Sequence, residues 1–112
     1  MYIGEAANVT GLTIKAIRFY EEKGLIQPPK RVGRYRVYQD REIELLVLIK
    51  EAKALGVTLS QLKGIITYNE GQVDWANIKL FLSDVRQQLV LQIDELKQKI
   101  ERLDVCYHQI NP

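Results

Sequence analysis

The stretch from Thr10 to Gly24, TGLTIKAIRFYEEKG, predicts a tight turn followed by a short helix. Gly11 suits a turn residue with positive φ, and Thr13 suits an N-cap because its hydroxyl accepts a hydrogen bond from the first helical turn. Ile14 and Ile17 lie three residues apart, so both are expected to face a core. The basic residues of this helix then project from the opposite surface.

A shorter apolar segment, residues 2–9, precedes this turn and is expected to form the first helix. Two short helices joined by a glycine turn are typical of a helix-turn-helix, in which the second helix enters the major groove of DNA. An ordinary helical hairpin with solvated basic residues is the alternative that this stretch alone leaves open. The candidate DNA contacts on the second helix are Thr13, Lys15, Arg18 and Tyr20.

The segment from Leu25 to Tyr38, LIQPPKRVGRYRVY, predicts a small two-stranded wing. Pro28 and Pro29 forbid a continued helix, and Gly33 provides a turn before aromatic and β-branched residues alternate with other residues. Basic side chains on such a wing can contact the phosphates beside the groove that the helix fills. A solvated basic hairpin is the alternative. The candidate contacts on the wing are Arg31, Arg34, Tyr35 and Arg36.

The basic residues are concentrated in the first third of the chain. Residues 13 to 36 contain seven basic residues and two acidic residues, whereas six basic and seven acidic residues follow from residue 58 onward. The net charge of +2 hides this asymmetry. A basic region on a near-neutral remainder is typical of a protein that places one face on a phosphate backbone.

The composition, with 46% hydrophobic and 27% charged residues in 112, fits one domain with an extended element. No run approaches the roughly 18 apolar residues of a membrane span, and no signal-peptide pattern opens the chain, so a cytoplasmic protein without a membrane partner is expected. The single cysteine, Cys106, excludes an internal disulfide and a four-cysteine zinc site. No catalytic motif is present, so an enzyme is not expected.

Two further helices are predicted after the wing. Asp40 is expected to cap a helix over residues 41–55 that has apolar residues on two sides, and Gly56 ends it. Most of this helix serves packing, but Lys53 near its far end is a candidate contact to an outer phosphate. Thr58 opens a shorter helix, and residues 69–73 are expected to form a polar link.

Residues 74 to 107 contain neither proline nor glycine and predict one long helix of about 50 Å. A domain of this size cannot cover such a helix, so its apolar stripe needs a partner, most simply a second copy in a coiled coil. An intramolecular hairpin is the alternative, although no turn residue supports it. Trp75, Leu80, Phe81 and Leu91 are expected to pack on the N-terminal helices. The expected seam consists of Ile78, Leu82, Val85, Leu89, Ile93, Leu96, Ile100 and Leu103.

In this order, the motifs resemble the MerR family of bacterial transcription regulators over almost the whole chain. The most specific parts are TGLTIKAIRFYEEKGLI with the two prolines, GRYRVY followed by Asp40, and EAKALGV before Thr58. The resemblance implies a mainly α fold. Residues 1–70 would form a winged helix-turn-helix domain with supporting helices, residues 71–107 an antiparallel coiled-coil dimerisation helix, and residues 108–112 a short tail.

The resemblance also implies a homodimer that binds an inverted repeat in double-stranded promoter DNA. In the family, bending and untwisting the DNA in response to a stress signal lets RNA polymerase engage both promoter elements. An architectural or recombination-directing protein without a signal response is the alternative, and a coiled-coil module without DNA affinity is a third. The positions that match family contacts are Lys15, Arg18, Tyr20, Arg31, Tyr35, Arg36 and Lys53; Arg34 stands where glycine is common in some members.

The sensing end departs from the metal-sensing members, which carry cysteines near the start of the long helix and in a loop after it. Thiolates at such positions select soft or borderline ions. This chain has Trp75 near the first position and lacks the two-cysteine loop, so no metal or cofactor is expected. Cys106 and His108 are the candidates for an effector or redox role, and a metal site would have to use these two residues, with groups from a second subunit. The alternative is a small residue at a helix end beside a solvated imidazole.

Overall fold

The computed structural model describes all residues from 1 to 112 and measures 75 × 29 × 20 Å. It is mainly α-helical, with a winged helix-turn-helix at the N-terminal end and one long C-terminal helix, as the sequence predicts. The elements in chain order are α1 (Ile3–Thr10), α2 (Ile14–Glu22), β1 (Lys30–Val32), β2 (Tyr35–Val37), α3 (Asp40–Ala54), α4 (Leu59–Ile65), β3 (Tyr68–Asn69), β4 (Gln72–Val73) and α5 (Trp75–Gln109).

The turn between α1 and α2 has the geometry that the sequence predicts. Gly11 adopts a φ of 75°, and its N–H donates to the carbonyl of Ala7 at 2.9 Å. The hydroxyl of Thr13 accepts a hydrogen bond from the N–H of Ala16 at 3.0 Å and so caps α2. Ile17 is fully buried, but Ile14 is 38% exposed, so the expectation that both isoleucines face the core is wrong for Ile14.

The wing is an antiparallel pair in which β1 and β2 are joined by a two-residue turn. Its turn begins at Gly33, whose φ of 62° suits the twist of a tight hairpin. The start of the chain supports the wing: the amino group of Met1 donates to the carbonyl of Tyr38 at 2.8 Å, and Tyr2 forms a bridge with Val37. The wing is therefore attached to α1 as well as to the core.

The core is centred on α3, which packs against α1 and buries Leu45, Leu46 and Ile49. The N-cap of α3 is Gln39, not Asp40 as expected. The side chain of Glu42 accepts a hydrogen bond from the N–H of Gln39 at 2.8 Å in a capping box. Asp40 is instead the first helical residue, where the positive end of the helix dipole stabilises its negative charge.

A second hairpin stands where a polar link is expected. Strands β3 and β4 pair antiparallel around Glu70 and Gly71, whose φ values of 54° and 78° are both positive, as in a type I′ turn. Glycine tolerates this conformation, whereas a glutamate there is rare. The N–H of Asp74 then donates to the carbonyl of Thr67 at 2.8 Å, which directs the chain into α5.

Helix α5 begins inside the domain and then leaves it. Asp74 caps it by accepting from the N–H of Asn77 at 3.1 Å, and the Asn77 side chain donates to the carbonyl of Ile65 on α4 at 3.0 Å. Ile78 is only 3% exposed and belongs to the domain core, so its assignment to a dimer seam is wrong. Phe81 continues this contact as expected, and so do Leu82 and Val85, which the sequence pattern assigns to the dimer seam; all three are partly buried against the domain core.

Beyond Val85 every residue of α5 is exposed. Leu80 and Leu91 are 68% and 53% exposed, so the expectation that they pack on the N-terminal helices is wrong, and Trp75 is covered only in part. The helix runs for 35 residues, about 52 Å, and includes His108 and Gln109, contrary to the expected tail. None of the helices is both long enough and apolar enough to cross a membrane.

The replacement Ile78→Ala is expected to lower the free energy of unfolding by about 2 to 5 kcal/mol, because it leaves a cavity where α5 joins the core. Urea denaturation followed by circular dichroism at fixed protein concentration measures this change. Leu80→Ala, two residues along the same helix but 68% exposed, is the matched control and should stay within about 0.5 kcal/mol of the wild type. Equal losses from the two variants would contradict the burial of Ile78.

Candidate DNA-binding surface

Helix α2 presents its basic residues on one side because its other side is anchored in the core. Ile17 is fully buried and Tyr20 is 5% exposed, whereas Lys15 and Arg18 are exposed. The expectation that Tyr20 projects as a surface contact is therefore wrong. Its ring is an anchor, and Nζ of Lys53 lies 5.7 Å from the ring centroid. The exposed candidate contacts of α2 are accordingly Lys15 and Arg18, beside the Thr13 cap.

Two arginines face each other on the wing. Arg31 and Arg36 are direct partners across β1 and β2, an arrangement that is destabilising for like charges. Nε of Arg36 donates to Oε2 of Glu21 at 2.9 Å, and both side chains are largely buried. This ion pair offsets the repulsion and fixes the wing to α2. The Nε–H of Arg36 is thus occupied by Glu21, and the role of Arg36 as a DNA contact stays a prediction.

Glu21 contacts the wing through Arg36, and it is absent from the contacts predicted from the sequence. It stands four residues after Ile17, on the inner side of α2, and that spacing is the signal that distinguishes it from the exposed Glu22. Without Glu21, nothing in the structure would connect the charged end of Arg36 to the helix. Glu21 therefore adds a contact between α2 and the wing to those that Met1 and Tyr2 make with the wing.

The hydroxyl of Tyr38 is buried behind these charges and has no hydrogen-bond partner. Burial raises the pKa of this phenol, and Glu21 raises it further, while Arg36, Arg18 and Arg31 lower it. The phenol therefore keeps its proton at neutral pH. Arg18 of α2 and Arg31 of the wing are thus both among the charges that act on this phenol.

The remaining wing candidates are Arg34, at the tip of the wing, and Tyr35, on the side of the wing opposite Arg36. Arg34 is exposed in the turn after Gly33. Tyr35 alternates with Arg36 along β2, so it points to the opposite side of the wing, where its ring centroid lies 5.8 Å from that of Tyr2. Tyr35 is 62% exposed and keeps an open face. Tyr2 was not among the expected contacts, although it shapes the surface beside Tyr35.

This arrangement suits a nucleic-acid duplex. An exposed helix face with Lys15 and Arg18 can meet base edges and phosphates in a major groove, while Arg31 and Arg34 can meet phosphates beside it. Hydrogen bonds from cationic donors to phosphate are among the stronger ones that proteins form. The fold and this surface define a winged helix-turn-helix DNA-binding regulator.

Comparison with known proteins identifies the family. The family model described as MerR HTH family regulatory protein matches residues 1–69. The chain belongs to this MerR family, and it is a DNA-binding transcriptional regulator. The matched residues cover the helix-turn-helix, the wing, α3, α4 and the start of the second hairpin.

Individual relatives agree with this assignment. The HTH-type transcriptional regulator CueR of Escherichia coli O6:H1 is 36% identical over 112 residues, which cover 98% of this chain and 78% of CueR. The structure of HiNmlR, a MerR family regulator lacking the sensor domain and bound to promoter DNA, matches with a TM-score of 0.62 at 23% identity, covering 97% of this chain and 86% of that one. The regulator PbrR691 from Ralstonia metallidurans CH34, in complex with lead(II), matches with a TM-score of 0.63 at 21% identity, covering 100% and 88%.

The candidate effector residues lie at the far end of α5, distant in sequence from the surface described above. Cys106 is exposed, and the ring of His108 packs edge-on against Tyr107 with centroids 5.3 Å apart. No group of three or more His, Cys, Asp or Glu side chains comes together in the structure. The effector role of Cys106 and His108 stays a prediction.

If Arg18 contacts a base edge, Arg18→Ala is expected to weaken specific DNA binding by about 1 to 3 kcal/mol. A gel-shift titration with a duplex from the chain's own promoter region measures this loss. Arg86→Ala, which removes an exposed arginine from α5, is the matched control and should bind like the wild type. Unchanged affinity of the Arg18 variant would remove this residue from the contact surface.

A double-mutant cycle with Glu21→Gln and Arg36→Met is expected to give a coupling free energy of about 1 kcal/mol, reduced from a fully buried pair because solvent reaches the arginine. Urea denaturation of the four proteins supplies the cycle. Glu22→Gln, in the exposed neighbour, should show no coupling to Arg36→Met. Coupling near zero for Glu21 would mean that the ion pair does not hold the wing.

Proposed function

We propose that the chain acts as a homodimer whose two copies pair through the C-terminal half of α5 and bind a two-fold symmetric promoter element. It regulates transcription there without catalysing a reaction. The dimer bends and untwists the DNA in response to a stress signal, and RNA polymerase then uses the altered promoter. The observation that carries this proposal is the apolar stripe of α5 that its own domain leaves uncovered.

The uncovered stripe is long and regular. Leu89, Ile93, Leu96, Ile100 and Leu103 are between 41% and 69% exposed, and they recur at alternating steps of four and three residues. Such spacing places them on one face of a helix and is typical of a coiled-coil seam. Burying a large aliphatic side chain contributes about 1.5 to 3 kcal/mol, so pairing this stripe in two copies offsets the cost of association.

The stripe also contains an irregular step. Val85, Leu89 and Ile93 are separated by two consecutive steps of four, where a regular heptad pattern alternates four and three. An insertion of this kind locally unwinds a supercoil and turns the apolar stripe relative to the preceding helix. This step lies where contact with the domain ends, so the first half of the stripe faces the core and the second half faces a partner.

A two-fold dimer implies a two-fold operator. Each copy contributes one α2 and one wing, so the two recognition helices are expected to meet half-sites that follow the same symmetry. Deforming the duplex between half-sites costs several kcal/mol, and phosphate contacts by arginines on both wings can offset that cost. The likeness to CueR, an HTH-type transcriptional regulator, supports a regulatory role, and the promoter-bound HiNmlR has the same fold.

Leu96→Asp is expected to split the dimer, because it would bury unpaired charges in the seam. Sedimentation equilibrium at micromolar concentration measures the mass, which should fall to that of one 13.0 kDa chain. Leu91→Asp is the matched control: Leu91 is 53% exposed and Leu96 is 57% exposed, but Leu91 lies outside the stripe and its variant should remain dimeric. Dissociation of both variants, or of neither, would contradict the assigned seam.

In vitro transcription from the neighbouring intergenic region tests the regulatory step. A regulator changes the amount of polymerase product, and the Arg18→Ala variant should lose that effect. An architectural protein would bind and bend the same DNA without changing the product. The signal itself is tested with Cys106→Ser: a variant that responds to aldehydes or oxidants as the wild type does would remove the redox role of this cysteine.

A further inference from the structure

A cleft of about 470 Å³ lies where the base of the wing, the start of α3, the second hairpin and the first residue of α5 meet. This volume falls within the range of small-molecule sites in proteins. The side chains that matter for its chemistry are Lys30, Arg41, Tyr68 and Trp75. Lys30 precedes Arg31 on β1 and therefore points to the other side of the wing from the arginine pair.

The cleft carries an excess of positive charge. The structure contains one ion pair, between Arg36 and Glu21, so Lys30 and Arg41 are both without an acidic partner. The one carboxylate in the cleft belongs to Glu42, and it already accepts the N–H of Gln39 at 2.8 Å. Two free cations beside one engaged anion favour an anionic ligand.

The hydroxyl of Tyr68 adds a third hydrogen-bond donor. Its oxygen accepts from the N–H of Gln27 at 3.3 Å, and its own proton has no acceptor in the structure. Burial raises the pKa of this phenol, so the proton is present at neutral pH. A ligand that only accepts hydrogen bonds, such as a carboxylate, would satisfy this group together with the two cations.

Trp75 supplies a flat apolar wall. It is the single tryptophan of the chain and is 38% exposed at the cleft. Aromatic rings pack well against an indole, and most small-molecule sites combine such a surface with a few polar groups. We propose that the cleft is the effector site of this regulator and binds a small planar organic anion, an aromatic carboxylate, with its ring against Trp75 and its carboxylate toward Lys30, Arg41 and Tyr68.

The position of the cleft connects the ligand to DNA binding, and this step rests on the proposed function. Lys30 belongs to the wing, Arg41 to α3 and Trp75 to the dimerisation helix. A ligand that contacts all three fixes the angle between wing and α5. Because the wing carries phosphate contacts and α5 sets the distance between two copies, occupancy changes the affinity for the operator, and the operator changes the affinity for the ligand by the same factor.

Isothermal titration calorimetry of the full chain with cinnamate tests the site, and cinnamamide is the neutral probe of similar shape. Cinnamate should bind saturably at one site per chain, and cinnamamide at least tenfold more weakly. Lys30→Met and Arg41→Met should each weaken cinnamate binding about tenfold by removing a charge-assisted hydrogen bond. Lys79→Met, an exposed lysine on α5 outside the cleft, should bind like the wild type. Cinnamate should also shift the Trp75 indole N–H signal in a proton–nitrogen NMR spectrum.

Operator titrations with and without saturating cinnamate test the effector role, with an expected change in DNA affinity of threefold or more. Binding of cinnamate without such a change would overturn the effector role. A flat calorimetric titration would overturn the site itself, while operator binding by the ligand-free protein would leave the proposed function standing. If Lys30→Met and Arg41→Met weaken operator binding and cinnamate does not bind, the two cations contact phosphate and the cleft is not a ligand site.

Discussion

The direction of α5 and the surface that it leaves exposed both depend on one feature: only the first part of its apolar stripe packs against its own domain. Its first part, from Ile78 to Val85, is covered by the domain from which the helix emerges. Its second part, beyond Val85, has no cover from its own chain, although it carries aliphatic side chains at coiled-coil spacing. Burial of the first part holds the helix in one direction relative to the domain. Exposure of the second part leaves it available to the second copy that we propose.

The contacts that stabilise the domain also set the direction of α5, and so they affect how two copies can be placed on DNA. The contacts of Ile78 with the core and of Asn77 with α4 set the direction in which α5 leaves, and therefore where a partner's domain would lie. The ion pair of Glu21 with Arg36 has the corresponding role at the other end, because it fixes the wing to α2. Both contacts help to position the elements that carry the DNA-binding surface.

Much of the fold follows from local sequence signals. Gly11 and Thr13 mark the helix-turn-helix, the proline pair and Gly33 mark the wing, and the long interval without proline or glycine marks α5. These features depend on neighbours within a few residues, which a sequence pattern contains. The capping box at Gln39 is also local, but Asp40 is the stronger N-cap residue on propensity alone and therefore misleads.

What the sequence does not reveal are the contacts between distant segments. Ile78 and Leu96 occupy the same stripe, and only the folded chain shows that the domain covers the first and not the second. Tyr20 is a residue type that often contacts DNA at a surface, but here its ring is buried in the core, with the ammonium group of Lys53 over it. The sequence does not predict the second hairpin, because its turn requires a positive φ at Glu70, which glutamate rarely adopts. The pairing of Glu21 with Arg36 joins residues fifteen apart across two elements.

We infer that two copies act together on one duplex, and the number of chains in the DNA complex decides whether they do. Native mass spectrometry of the wild-type chain with a duplex that contains both half-sites measures this number without assuming a shape. We expect a complex of two chains of 13.0 kDa with one duplex, and no stable complex with a single chain. A saturated complex that contains one chain per duplex would contradict it.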